Sequence, residues 1–279
     1  MVGGKAIAQF DCALSMFSVI AILIAATAAW MSASYLGLPP TRLVLVVLLA
    51  STAGFGGGVL GGEVWNWLAR LNDSQRLFVH RFALDGALIA ALPFGLLAAR
   101  LLKLEPWRCA DALIPSVALA IFVLRVGCIQ EGCCFGRPTE LPWGIIPATN
   151  SPAAISQLQR GFPAMLAPLL ALHPTAAYEA LAVLLIGGRC CRRIDLHDRI
   201  GSAALEGWVL FYGFRLLNDF LRSEATLVVP WTPLAHALLL AGGVVLLLRR
   251  RALPRTPIIG TDMNPAGEHM HQATVENSL

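Results

Sequence analysis

The chain has 279 residues, of which 57% are hydrophobic and 14% charged. This balance excludes an ordinary soluble domain and points to an integral membrane protein. The net charge of +4 does not indicate a nucleic-acid partner, because the arginines stand at the ends of apolar runs, where membrane topology places them.

A membrane-spanning helix needs about 20 mostly apolar residues. Taken in chain order, the candidates lie at about 13–34, 42–62, 83–102, 110–127, 174–188, 203–221 and 233–249. The expected fold is therefore all-α, a polytopic membrane bundle of about seven helices. The first run is too long for a signal-peptide core and has no obvious cleavage site, so it reads as a retained span. Gly54-Phe-Gly-Gly-Gly58 and Gly61-Gly62 place small residues at helical spacing near the end of the second run. Close helix packing explains them; a lipid headgroup against bare backbone is the other reading.

With the C-terminus inside, twelve lysines and arginines fall on the cytoplasmic side and seven outside, with Arg249-Arg-Arg251 as the clearest stop signal. The N-terminus is then external. Residues 1–253 read as one membrane domain, with an external loop at about 128–173 whose part from Ala148 to Ala171 rests on the interface. Residues 254–279 are polar and aperiodic, and read as a disordered cytoplasmic tail in which His269 and His271 are solvated.

Ionisable side chains within spans are costly and mark functional sites. Asp85 opens the third run, Arg125 closes the fourth, Glu179 lies in the fifth, and Glu206, Arg215 and Asp219 lie in the sixth. Tyr212, Arg215 and Asp219 share a helical face that Arg222 continues. An Arg215–Asp219 ion pair is one reading of that face. The other is convergence of Arg125 and Arg215 on an anion, because guanidinium groups match phosphate oxygens in pairs and stay charged in a dry site. The seven cysteines form neither CxxC pairs nor finger spacings with histidine, so a zinc-finger domain and a secreted disulfide scaffold are excluded. Cys128, Cys133 and Cys134 are nonetheless clustered.

The residues Arg125-Val-Gly127, Gly136-Arg-Pro-Thr-Glu-Leu-Pro-Trp-Gly144, His173-Pro-Thr-Ala-Ala-Tyr178-Glu179 and Tyr212-Gly-Phe-Arg215, with Asp219 and Arg222, occur in this order. Together they resemble the bacterial prolipoprotein diacylglyceryl transferase family. The resemblance implies an enzyme of the bacterial cytoplasmic (inner) membrane. Such an enzyme moves the diacylglyceryl group of phosphatidylglycerol to a lipobox cysteine thiol and releases glycerol phosphate. It implies that Arg125 and Arg215 are essential, and that Asp219 stands for a family glutamate. No cofactor and no metal are expected; the expected partners are phosphatidylglycerol or a similar phospholipid, membrane lipids and a prolipoprotein lipobox segment.

The chain departs from the family at several reactive positions. Asp85-Gly86-Ala-Leu88 stands where the family has His-Gly-Gly-Leu. Cys128 replaces an asparagine, Cys133 aligns with a glutamate, and Gly61-Gly62-Glu63 replaces Gly-Ala-Arg. The three cysteines admit a disulfide of Cys128 with Cys133 or Cys134, a catalytic thiolate or metal site, or small fillers beside the headgroup. The expected mechanism has Arg125 and Arg215 holding the donor phosphate, Asp85, Glu131 or His173 taking the acceptor proton, and Arg137 steering the acceptor. Gly86, Gly127, Tyr178, Glu179, Tyr212, Asp219 and Arg222 are expected to line the substrate site. A different acceptor with the same donor, or a non-catalytic lipid-binding protein, remains the alternative.

Overall fold

The computed structural model describes residues 3–71, 83–149, 151–159, 170–195, 199–222 and 231–252. The reading of 254–279 as a tail lies outside the described residues, as do Arg160, Gly161 and Pro163 of the external segment. Among the described residues all regular structure is helical: α1 (Gly3–Tyr35), α2 (Pro40–Leu71), α3 (Leu84–Leu101), α4 (Pro106–Ala112), α5 (Ile114–Glu131), α6 (Pro152–Gln159), α7 (Thr175–Asp195), α8 (Ser202–Asp219) and α9 (Trp231–Ala252). Five of these, α1, α2, α3, α5 and α9, are long and apolar enough to cross a membrane. The chain is a multi-pass membrane protein. Its exposed Leu23, Trp30, Met31, Leu60, Leu238 and Leu248 suit contact with lipid rather than water.

Proline sets the main difference from the sequence reading. The apolar run at 110–127 is divided, with α4 ending at Ala112 and α5 beginning at Ile114. Pro115 lies in the first turn of α5, where its missing N–H breaks no bond, but it prevents one continuous helix. Gly132 ends α5 with φ 64°, a left-handed cap that glycine adopts without steric cost.

The long helices pack as a ring. α2 pairs with α3, α1 lies against both α2 and α5, α7 joins α5 to α8, and α8 packs on α9. The small residues of α2 are spent on its contact with α3: a Cβ at Gly57 would strike Ala90 Cβ and the Gly86 carbonyl, and one at Gly86 would strike the Gly57 carbonyl. That face holds helix backbone against helix backbone, so it has no room for a headgroup. Gly127 serves likewise, with the Phe17 ring of α1 lying 2.8 Å from where its Cβ would be.

Charged groups also tie the end of the bundle that carries α4. Asp111 of α4 is fully buried and accepts the backbone N–H of Gly201 at 2.5 Å and of Ala204 at 2.9 Å, capping α8 from another helix. Glu206 accepts from Arg189 of α7 at 2.8 Å and Arg251 of α9 at 3.2 Å. It is therefore a strut between three helices, apart from the other buried charges of α8. α6 buries Ala153, Ala154 and Gln157, and Ala153 joins Phe135 and Leu172 in a small core under the external loop. That face of α6 is covered by protein.

Gly86→Leu should lower the unfolding free energy by about 1–3 kcal/mol or more through overpacking. Gly56→Ala should be neutral, since a Cβ there meets nothing within 4 Å; thermal unfolding in detergent reads both. Burial pushes the Asp111 carboxyl up to about 6. A group that binds its proton more tightly when folded favours folding at low pH and loses that contribution as pH rises from about 4 to about 6. Asp111→Asn should remove this part of the pH slope, measured as Tm against pH for both proteins.

Candidate active site

Four helices bring charged side chains to one level of the ring, those of Arg125, Glu179 and Arg215 buried and that of Asp85 half-buried. Arg125 of α5 donates from Nη2 to Glu179 Oε1 of α7 at 2.7 Å, and Arg215 of α8 donates from Nη1 to the same oxygen at 2.9 Å. Arg215 also donates from Nη2 to Asp85 Oδ2 of α3 at 2.7 Å. The two guanidinium groups do converge on an anion, and in the structure that anion is the carboxylate of Glu179.

Asp219 does not pair with Arg215. Its Oδ2 lies 2.5 Å from Nδ1 of His236 on α9, whose Nε2 is 3.2 Å from Asp85 Oδ2 and 3.4 Å from Arg215 Nη2. Each ring nitrogen thus faces a carboxylate oxygen, Nδ1 that of Asp219 and Nε2 that of Asp85, with Arg215 Nη2 beside Nε2. The Asp85–His236 contact closes the ring between α3 and α9. His236 is 1% exposed, and the ring of fully buried Tyr212 lies 5.8 Å from it, centroid to centroid.

Sequence reasoning missed His236. It weighed side chains of fixed charge within spans and passed over a neutral imidazole in the last apolar run. The rule that picked out Asp85 applies to it equally, since any ionisable group at membrane depth needs a partner.

The site continues outward from Arg125. Its Nη1 lies 3.7 Å from Cys128 Sγ and 3.5 Å from Cys134 Sγ, and those two sulfurs are 3.8 Å apart. The Sγ atoms of Cys128, Cys133 and Cys134 all lie within 4.8 Å of one another as free thiols. Beyond them, the Tyr178 hydroxyl accepts Trp143 Nε1–H at 2.7 Å and stands 3.3 Å from His173 Nδ1. The backbone of Gly136 and Arg137 is fastened to His173 and Leu221, which sets the loop against the end of α8 beside Arg222.

Asp85, Arg125, Glu179, Arg215 and Asp219 are thus brought together, and Tyr212 packs beside them. His173 and Tyr178 belong to the outer loop network. Glu131, at the end of α5, forms no hydrogen bond or ion pair with the cluster among the described residues. Gly86 and Gly127 are at helix contacts, and the Arg137 side chain is exposed.

A cavity of about 240 Å³ lies directly under the charges. Leu88, Ile121, Val183 and Phe211 line it, and each stands three or four residues, one helical turn, from Asp85, Arg125, Glu179 and Arg215 respectively. A polar lid over an apolar chamber is the shape an amphiphile requires. Among the described residues, nothing bonds Asp85 Oδ1, Arg125 Nε or the Tyr212 hydroxyl, all of them buried. Buried polar atoms normally have partners, so these three are suited to a ligand's polar atoms.

The ring of helices and its internal charges define a multi-pass membrane protein with a buried ion-pair site over an apolar chamber. The chain belongs to the prolipoprotein diacylglyceryl transferase family, whose defining pattern matches residues 7–249. It is similar to proteins named phosphatidylglycerol–prolipoprotein diacylglyceryl transferase. That of Clostridium tetani is 29% identical over 60% of this chain and 65% of its own length. That of Nostoc sp. is 27% identical over 62% of each, and that of Acaryochloris marina 31% identical over 69% of this chain and 70% of its own length. The chain thus spans somewhat under two thirds of the first two of these relatives.

Removing the shared anion leaves two buried guanidinium groups with less compensation. Glu179→Ala should therefore cost about 3–5 kcal/mol of stability, the usual cost of breaking a buried pair from one side. Glu179→Gln, which keeps an acceptor oxygen, should cost less; thermal unfolding in detergent ranks the two.

Proposed function

We propose that the protein transfers the diacylglyceryl group of phosphatidylglycerol to the thiol of a lipobox cysteine. The observation that carries this reading is the placement of Arg125 and Arg215 one turn above the apolar cavity. The apolar walls of the chamber suit the parts of the acyl chains nearest the glycerol, and the headgroup phosphate meets the guanidinium N–H groups that Glu179 leaves free, Arg125 Nε among them. The names of the relatives and the family support the same donor and acceptor.

In the reaction the acceptor sulfur attacks the glyceryl CH₂ carbon next to the phosphate ester oxygen. The C–S bond forms, the C–O bond breaks, and glycerol phosphate leaves with the electron pair on oxygen. Arg125 and Arg215 stabilise that developing charge, an effect strengthened by the dry surroundings. The acceptor proton goes to His236 Nε2, which Asp219 orients through Nδ1 and which stands beside Asp85. Asp85 is the one group of Asp85, Glu131 and His173 that shares the arginine cluster. We assign the steering of the acceptor to Arg137, which is exposed on the loop fastened to the end of α8.

We also infer that α7 and α8 cross the bacterial inner membrane, which makes seven spans with the N-terminus outside and the C-terminus in the cytoplasm. The two helices have 21 and 18 residues. Their deep charges, Glu179 and Arg215, are paired inside the bundle, while Arg192 and Arg193 lie in the last turn of α7.

Arg125→Gln and Arg215→Gln should each reduce transfer from labelled phosphatidylglycerol to a lipobox peptide by about 100-fold or more while the protein still inserts. Wild-type rates in both variants would overturn the arginine clamp. A labelled lipid product in place of the lipidated peptide would show a different acceptor.

A further inference from the structure

We propose that Cys128, Cys133 and Cys134 hold a Zn²⁺ ion whose fourth coordination position takes the acceptor thiol. The inference rests on the reading that the acceptor is a thiol, and it replaces the sequence-based expectation of a metal-free site.

The spacing is that of metal ligands. With zinc–sulfur bonds of about 2.3 Å, two corners of a tetrahedron lie about 3.8 Å apart, and the Cys128–Cys134 sulfurs are separated by 3.8 Å. All three sulfurs lie within 4.8 Å of one another. The backbone is bent to achieve this: Gly132 turns the chain with φ 64°, and Cys134 takes φ 55°, a left-handed conformation that a cysteine adopts only when its surroundings enforce it. Thr175 Oγ1 holds the turn by donating to the Cys134 carbonyl at 2.5 Å.

Charge favours the same occupant. Three thiolates with one Zn²⁺ carry a net charge of −1, and the Arg125 guanidinium lies against two of the sulfurs. The arginine therefore places positive charge beside the complex through Nη1 while Nη2 faces Glu179. The three residues are half-buried, not sealed, so a fourth ligand can reach the ion.

Three protein ligands and an open position are the form of a catalytic zinc site, and a thiol that coordinates zinc is deprotonated. The acceptor R–SH would bind as R–S⁻, with its proton passing to His236 Nε2. The bound sulfur attacks the glyceryl carbon, the C–O bond breaks, and glycerol phosphate departs. The product is a neutral thioether, a poor zinc ligand, which is then released. No oxidant or reductant is consumed.

The test uses the full chain in detergent. Elemental mass spectrometry should find about one zinc per chain, lost in C128S, C133S and C134S. After exchange for Co²⁺ the chain should show thiolate-to-cobalt charge-transfer absorption and the visible bands of a tetrahedral site. A lipobox peptide should shift those bands, and the same peptide with serine for cysteine should not. Transfer should fall at least tenfold in C134S. The proposal is overturned if the wild-type chain binds neither Zn²⁺ nor Co²⁺, or if mass mapping shows Cys128 disulfide-bonded in the active protein. It is equally overturned if the cysteine peptide leaves the cobalt spectrum unchanged. Transfer that persists in a metal-free chain would remove the zinc and leave the proposed function standing. A thiol-sensitive cobalt site without lipid transfer would do the reverse.

Discussion

The sharing of one Glu179 oxygen by Arg125 and Arg215 is the constraint around which the bundle is arranged. An unpaired guanidinium at membrane depth is costly, so three helices must meet where this carboxylate lies. Asp85 and His236 extend the network to α3 and α9, and the ring of helices closes through side chains of opposite or complementary character. The deep charges of α7 and α8, which set these helices apart from the five apolar ones, are the charges that bind the bundle together.

The same network gives the site its polarity. Charges occupy one level of the ring, and one turn deeper Leu88, Ile121, Val183 and Phe211 surround an apolar chamber. A phospholipid has this division within a single molecule. Because Glu179 already engages both arginines, neither guanidinium is uncompensated within the cluster.

Residues that look isolated along the chain are neighbours in space. His236 of α9 stands 3.2 Å from Asp85 of α3. Cys128, Cys133 and Cys134 gather beside Arg125, which bears on Glu179 through its other terminal nitrogen.

By itself the sequence determined the membrane class, the helical fold and most, though not His236, of the ionisable residues that meet inside the bundle. Long apolar runs have no other stable home, and each charge within one requires a reason. It also located the breaks only approximately: Pro115 divides a run that hydropathy alone shows as continuous. What the tertiary structure decided is which charges meet. Spacing on α8 allowed Arg215 to pair with Asp219, but Glu179, Asp85 and His236 lie 36, 130 and 21 residues from Arg215 along the chain. Helical periodicity orders residues on one helix and carries no information about which faces of different helices come together. That is set by packing, with the small residues of α2 and α3 and the Phe17–Gly127 contact fixing the approach of the helices that bear the charges.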